Sequence, residues 1–277
     1  MLSKLQSVLN RARAEGSWSG AAKRAWHNPE KVWAYLRRTG SRAWVDALFA
    51  NAAEYEGFVG ELEASKLLMQ LQARLRDRFS TVEGMTTRGN RYMPGAMLTP
   101  QAATLYALIR ARRPAKIVET GVCNGFSSAV ILSALARNGA GYLYSIDFPE
   151  FATAAVSDQG FWEGKGGAVV PENERSGWLV PSDLRDRWLL RLGRSKEELP
   201  PLLDELCEID LFVHDSEHSY ENQLFEFRSA FAHLGAEGVL FASDINWSSA
   251  FEDFAKQVAS ASRFYYVDYS LGVLLRN

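Results

Sequence analysis

The chain has 277 residues, of which 47% are apolar and 23% are charged, and its formal net charge is −2. These fractions exclude a disordered or collagen-like protein. No apolar run reaches the roughly 20 residues of a transmembrane helix, and the N-terminus lacks the apolar core of a signal peptide. The two cysteines are too few for a disulfide framework or a zinc site of their own. The composition therefore indicates a cytoplasmic protein without a transmembrane segment.

The first 80 residues predict helices throughout. Leucines recur at spacings of three and four residues between Leu62 and Leu75, which is typical of an amphipathic helix. Residues 1–42 contain nine basic side chains and two acidic ones. Such a segment either faces an acidic partner or is a solvated helix face that balances an acidic body. No nucleic-acid motif is present, and the apolar N-terminal helices favour a homodimer.

Beyond this helical part, short apolar strands alternate with helices. Helices are predicted from Thr99 to just before Pro114 and from Ser127 to Arg137. Strand patterns occupy seven segments: 116–119, 142–146, 188–192, 211–213, 239–242, 264–267 and 273–275. The alternation predicts an α/β fold with a doubly wound, mostly parallel seven-stranded sheet, and the last two strands predict a closing antiparallel hairpin. The unpatterned segment 148–180 is interpreted as a lid or binding loop, with disorder as the alternative.

The most informative motif lies where the first predicted strand turns into a helix. Gly121 and Gly125 allow a tight turn and a close approach of a ligand, and the helix N-terminus favours an anionic group. Asp147 ends the next predicted strand, where a carboxylate can accept both hydroxyls of a ribose. Together these features predict a nucleoside-containing ligand across the strand ends. The alternative is an ordinary strand–turn–helix. The dinucleotide and phosphate-loop glycine patterns are both absent.

Two segments carrying these residues resemble class I S-adenosylmethionine-dependent methyltransferases, in the branch of the catechol and macrocin O-methyltransferases. They span residues 95–136 and 209–247, and the hairpin at 263–276 also fits that fold. The resemblance implies a Rossmann-like methyltransferase domain at residues 91–277, preceded by a helical N-terminal cap at residues 1–90. It further implies transfer of a methyl group from S-adenosylmethionine to a hydroxyl or carboxylate oxygen of a small molecule.

The resemblance also implies roles for individual residues. Glu119, Gly121 and Gly125 would hold the methionine part of S-adenosylmethionine, and Asp147 would bind its ribose. The full set implied to bind the cofactor is Met97, Thr99, Glu119, Gly121, Asn124, Gly125, Ser127, Asp147, Gly193, Ser195 and Asp215.

An alcohol or phenol acceptor must also lose its proton, which a base or a divalent cation can promote. The resemblance makes His218 and Asp215 the candidate catalytic residues, with His218 as the base. The alternative is that His218 caps the following helix or forms a hydrogen bond with the loop backbone. In the metal-dependent branch two aspartates and an asparagine bind Mg²⁺. Asp215 and Asp244 match the aspartates, whereas Asn246 lies one residue beyond the position of the asparagine.

The string from His214 to His218 also matches the H-x-x-E-H pattern of some zinc peptidases. That chemistry needs both histidines on one helix face, but the preceding residues predict a strand. We therefore expect His214 to point away from His218, with the two rings failing to converge. Two other functions stay open, namely methylation of a nitrogen and a cofactor-binding protein without catalysis that docks a partner. The pattern of the fourth predicted strand, residues 211–213, and of the loop after it also resembles proteins labelled as cephalosporin hydroxylases.

Overall fold

The computed structural model describes residues 37–39, 41–80, 95–149, 151–152 and 170–277. Predictions that fall on residues 1–36, 81–94 and 153–169 lie outside these ranges. They include most of the basic N-terminal segment and most of the predicted lid.

A seven-stranded sheet forms the centre of the described fold, in the order β5-β2-β1-β6-β7-β9-β8. The strands are β1 (Lys116–Thr120), β2 (Tyr142–Asp147), β3 (Phe151–Ala152), β4 (Val170–Pro171), β5 (Trp188–Leu192), β6 (Ile209–His214), β7 (Leu234–Ala242), β8 (Ser262–Tyr266) and β9 (Gly272–Arg276). The first five strands of the sheet order are parallel, and β9 is antiparallel to both β7 and β8. The short β3 and β4 pair only with each other. The doubly wound, mostly parallel sheet and its closing hairpin are confirmed.

Helices cover both faces of the sheet. They are α1 (Ala43–Leu48), α2 (Ala52–Ser65), α3 (Leu67–Phe79), α4 (Thr99–Arg112), α5 (Phe126–Asn138), α6 (Ser195–Leu206), α7 (Tyr220–His233) and α8 (Ala250–Gln257). Local sequence sets their limits: α5 runs between two glycines with positive φ, Gly125 and Gly139, and the Ser219 hydroxyl caps α7. No helix within the described ranges has both the length and the apolarity that crossing a bilayer requires.

The strands divide their side chains between two apolar cores. In β1, Ile117 packs with α4 and α5, whereas the next residue, Val118, packs with α6 and α7 on the other face. The described N-terminal helices belong to the first core, where Leu62, Leu71 and Leu75 are almost completely buried. The predicted leucine periodicity is thus confirmed as a buried face.

The start of the described chain packs against the body of the fold. Arg38 is almost buried and its guanidinium lies 3.0 Å from Glu252, and the exposed Arg37 lies 2.7 Å from the same carboxylate. These ion pairs agree with the interpretation in which the basic N-terminal residues balance the acidic charge of the rest of the chain. The predicted boundary between residues 90 and 91 falls in a stretch that is not described, so the division into cap and methyltransferase domain stays a prediction.

The parallel strands end at one common edge. The register pairs Thr120 with Ile146 and with His214, and His214 in turn with Ala242. The residues that follow these strand ends therefore face one another. Ligands of open α/β sheets bind at this edge, where the strand order reverses.

Candidate active site

A cavity opens at the carboxyl ends of β1, β2, β5 and β6. Four of the residues implied to bind the cofactor line it: Gly121, Asp147, Gly193 and Ser195. The other lining residues are Thr120, Ile146, Phe148, Arg194, Lys196, Ser216, Glu217 and Asn222. The residues at four strand ends thus converge on one space, and their roles in binding a cofactor stay predictions.

Gly121 is required at its position by the approach of another strand end. Its φ is +87°, a conformation that favours glycine, and a Cβ atom there would overlap the carbonyl oxygen of Asp215. Gly125 also has a φ of +87°, and its Cβ would lie 2.7 Å from the Cα of Gly177. Both glycines of the motif therefore permit close backbone packing at the turn.

The carboxylate of Asp147 holds the glycine turn against β2. Its Oδ1 accepts hydrogen bonds from the backbone N–H groups of Val122, at 2.9 Å, and Cys123, at 3.2 Å. Its Oδ2 accepts one from the Ser176 hydroxyl at 2.5 Å. An ionised carboxylate offers roughly four acceptor sites, so Asp147 retains capacity for a further donor from the cavity.

The side chains of Glu119 and Ser127 face the core, and their implied cofactor-binding roles stay predictions. Glu119 has no exposed surface and accepts hydrogen bonds from the hydroxyls of Ser127, Ser128 and Ser145, at 2.6 to 2.8 Å. Burial raises the pKa of this carboxyl, and the three hydroxyls oppose that rise. Glu119 therefore ties β1 to α5 and β2 beneath the glycine turn.

The other residues of the implied cofactor set lie near the turn without lining the cavity. Asn124 is fully buried and its side-chain oxygen accepts from the Trp178 indole at 2.6 Å. Thr99 begins α4 and accepts from Gln72 at 3.0 Å, and Met97 is buried just before it. The cofactor-binding roles of Met97, Thr99 and Asn124 stay predictions.

Two aspartates and a histidine form a cluster at the ends of β6 and β7. Each of the three residues offers one potential ligand atom, and these atoms lie within 4.8 Å of one another; the residues are Asp215, His218 and Asp244. His218 Nε2 is 3.5 Å from an Asp244 oxygen and 3.9 Å from an Asp215 oxygen. Asp244 has a φ of 51°, which is uncommon outside glycine and is often found at functional sites.

The two aspartates have raised pKa values and no basic lysine or arginine partner among the described residues. Burial and the neighbouring Asp244 charge raise the pKa of Asp215 well above its ordinary value, and burial raises the pKa of Asp244. Within the described residues, neither carboxylate pairs with a lysine or arginine. Nearby, the side-chain oxygen of Asn246 is buried and has no hydrogen-bond partner among the described residues.

His214 contacts His218, so the expectation that it points away is wrong. His214 Nε2 lies 3.3 Å from His218 Nδ1, and the rings meet edge to face. The other His214 nitrogen, Nδ1, lies 2.7 Å from Glu226 Oε2. Both nitrogens of His214 are therefore occupied, which excludes the zinc-peptidase arrangement. The α7 cap is Ser219 and not His218, so the capping alternative for His218 is excluded as well.

Glu226 is a site residue that the sequence analysis missed. It lies on the buried face of α7, where Oε2 accepts from Thr120 at 2.6 Å and Oε1 from Ser216 at 2.7 Å. Burial raises its pKa, but His214 and the surrounding donors outweigh burial and lower the pKa to about 2. An acidic residue among the buried positions of an amphipathic helix was the available signal, because such a group needs a partner.

We expect Glu226 to make stability depend on acid pH. Because its folded pKa of about 2 lies below the ordinary value of a glutamate, its stabilising contribution is present above about pH 4.5 and is lost as pH falls toward 2. Urea unfolding of the parent and of Glu226→Gln at pH 7, 5, 4 and 3 measures this difference. The gap between the two proteins should shrink below pH 4.5, and a gap that stays constant would contradict the assignment.

The sheet order, the antiparallel β9 and the glycine turn facing an acidic strand end together define a class I methyltransferase fold. Residues 118–245 match the family model described as a methyltransferase domain. This match covers somewhat less than half of the chain, and beyond it the likeness is one of fold. No curated protein matches the sequence significantly.

Two solved structures illustrate the likeness of fold. The O-methyltransferase TomG from Streptomyces achromogenes, solved in complex with SAM, shares 15% identity, with a TM-score of 0.50 and coverage of 76% of this chain and 89% of that one. The SAH-bound methyltransferase PaMTH1 from Podospora anserina shares 12% identity, with a TM-score of 0.51 and coverage of 76% and 88%.

Proposed function

We propose that the protein transfers a methyl group from S-adenosylmethionine to an oxygen, in a hydroxyl or a carboxylate, of a small molecule. The observation that carries this proposal is that Gly121 and the Asp147 carboxylate face one cavity at the ends of two adjacent parallel strands. The TomG structure contains SAM and the PaMTH1 structure contains SAH, which supports the same ligand in this fold.

The cavity offers a distinct environment to each part of this donor. Asp147 would accept the ribose hydroxyls, and the close-packed turn at Gly121 would leave room for the methionine part. Phe148 is half exposed at the cavity and the Arg194 guanidinium lies 4.4 Å from its ring centroid. This pair, together with Gly193 and Ser195, would border the adenine.

The methyl donor supplies an activated carbon on a sulfonium, so the protein has to align the acceptor and receive its proton. We assign the second task to His218. Burial and the neighbouring His214 lower the pKa of His218 well below its ordinary value, so its ring is neutral and able to accept a proton. Its Nε2 would take the acceptor proton as the oxygen bonds to the methyl carbon and the carbon–sulfur bond breaks. Asp215 lies beside this nitrogen and would help to orient the acceptor.

The site also fits a divalent cation. Asp215 and Asp244 carry raised pKa values and have no lysine or arginine partner among the described residues, and the Asn246 side-chain oxygen is unpartnered. Carboxylate and amide oxygens are the ligands that Mg²⁺ prefers. We therefore include Mg²⁺ held by these three residues, where its charge would favour the ionised acceptor oxygen.

The proposal places the reaction in the cytoplasm and takes a small molecule, not a nucleic acid, as the acceptor. Cys123 and Cys207 form no disulfide, which suits a reducing compartment. The exposed Trp247 ring, 5.5 Å from the His218 ring, would form part of the acceptor wall. The homodimer stays a prediction.

Calorimetry with S-adenosylmethionine and S-adenosylhomocysteine tests the proposal. We expect both to bind the parent, and Asp147→Ala to weaken binding by roughly 10- to 100-fold because a charged hydrogen-bond acceptor is lost. Asp183→Ala, at an exposed site, is the control. Equal binding by Asp147→Ala would refute the ribose assignment. Binding without turnover on hydroxyl, carboxyl and amine acceptors, with and without Mg²⁺, would favour a non-catalytic protein, and turnover on amines alone would favour N-methylation.

A further inference from the structure

A short segment of the chain, residues 176–179, packs against the glycine turn that follows β1, and we call it the strap. The backbone N–H of Gly177 donates to the Cys123 carbonyl at 2.8 Å, and that of Leu179 donates to the Asn124 carbonyl at 3.0 Å. The strap belongs to the part of the sequence that shows neither a helix nor a strand pattern. The described end of that part therefore lies against the candidate donor site.

The strap is also fixed from its other sides. Gly177 has a φ of +71°, and a Cβ atom there would overlap the ring of Trp188 in β5. The Arg185 guanidinium donates to the Gly177 carbonyl at 2.8 Å. Arg74 of α3 donates to the Leu179 carbonyl at the same distance. A segment with so many contacts has little freedom to shift the side chains that it carries.

Ser176 is the residue of the strap that reaches Asp147. Its hydroxyl donates to Asp147 Oδ2 at 2.5 Å, and Ser176 is only 4% exposed, so water competes poorly for this hydrogen bond. The other carboxylate oxygen, Oδ1, accepts from two backbone N–H groups of the glycine turn. Each oxygen is thus held by a different segment, which fixes the rotation of the carboxylate about its Cβ–Cγ bond.

We propose that Ser176 is a positioning residue that holds the Asp147 carboxylate in the orientation in which it accepts the ribose of the methyl donor. This inference rests on the proposed function, in which Asp147 binds that ribose. Ser176 is not one of the described residues that line the donor cavity, so it acts through Asp147. A carboxylate that is oriented before the ligand arrives lowers the ordering cost of binding.

Calorimetry with S-adenosylhomocysteine on Ser176→Ala tests this role. We expect the affinity to fall about 3- to 10-fold, the contribution of one hydrogen bond. In the Asp147→Ala background the same substitution should cause no further loss, because the carboxylate that Ser176 positions is gone. Ser182→Ala is the matched control, because Ser182 is exposed and lies close by in the chain, and it should bind as the parent does.

A purely structural role for Ser176 predicts a different result. Loss of the hydroxyl would then weaken binding equally in the parent and in the Asp147→Ala background, and such additivity would overturn the inference. Parental affinity in a folded Ser176→Ala would overturn it too. The analogue of S-adenosylhomocysteine that lacks both ribose hydroxyls gives the same comparison without a second variant. Its affinity should be equal for the parent and for Ser176→Ala, and a loss as large as that for the complete ligand would contradict the proposal.

A crystal structure of the parent with S-adenosylhomocysteine decides the question even if Ser176→Ala fails to fold. We expect a ribose hydroxyl on the Asp147 carboxylate while Ser176 still donates to Oδ2. A ribose bound to Asp147 with the Ser176 hydroxyl turned away would overturn the inference and leave the proposed function intact. A parent protein that binds neither S-adenosylmethionine nor S-adenosylhomocysteine would instead refute the proposed function, and this inference with it.

Discussion

Replacing His218 with glutamine is expected to lower kcat by about two to four orders of magnitude, the usual contribution of a positioned general base. Glutamine retains a polar contact toward His214 but cannot accept a proton at neutral pH. The affinity for S-adenosylmethionine should not change, because His218 does not line the cavity assigned to the donor. Steady-state methylation kinetics and calorimetry on the same preparation separate the two effects.

His233→Gln serves as the control for this substitution. His233 lies in the last turn of α7, where it contacts the Ser229 carbonyl and lies 3.5 Å from Asp204, remote from the strand ends. Its replacement should leave kcat within a factor of about two. A His218→Gln enzyme with parental kcat would show that the acceptor loses its proton elsewhere.

Replacing Gly121 with alanine is expected to abolish measurable binding of S-adenosylmethionine. The added methyl group would overlap the carbonyl oxygen of Asp215, and the φ of +87° disfavours any side chain. The turn or the end of β6 must therefore move, and both border the cavity. The backbone strain alone should reduce the free energy of unfolding by about 1–3 kcal/mol. Calorimetry and urea unfolding measure the two losses.

Gly57→Ala provides the opposite control. Gly57 lies inside α2 and a Cβ atom there meets nothing within 4 Å, so this variant should gain roughly 0.5–1 kcal/mol and bind normally. Normal cofactor binding by a folded Gly121→Ala protein would mean that the glycine turn does not shape the donor site.

The positions of Gly121 and Asp147 at strand ends could be predicted from the sequence, and that of Gly193 from the family resemblance. Gly121, Asp147 and Gly193 each lie at or just after the end of a buried strand, and parallel strands bring such positions together whatever the loops do. The strand limits were less well predicted. β7 begins at Leu234, five residues before the predicted start, because its glycines and Glu237 interrupt the apolar pattern.

The direction in which each side chain of the candidate site points was harder to predict from the sequence. Glu119 follows the same alternation as Ile117, which places it against α5 and the serine hydroxyls and away from the cavity. His214 shares the face of Phe212, which packs on the α7 side where Glu226 lies. The contact between His214 and Glu226 joins a strand to a later helix, so no local pattern shows it. The loop after β6 then brings His218 back over the strand end, which spacing alone does not indicate.

Under the proposed function, the strand order would assign donor binding and acceptor chemistry to different halves of the sheet. Every cavity residue matched to the donor follows β5, β2 or β1, whereas the groups that would handle the proton and the cation follow β6 and β7. The halves meet where β1 pairs with β6, and the side chains of Ser195 and Asn222 also contact each other across them. Under the proposed function, we expect substitutions after β7 to alter the choice of acceptor with less effect on nucleoside binding than substitutions at the junction of β1 and β6. Such a division would let proteins of this fold act on different acceptors while they bind the same methyl donor.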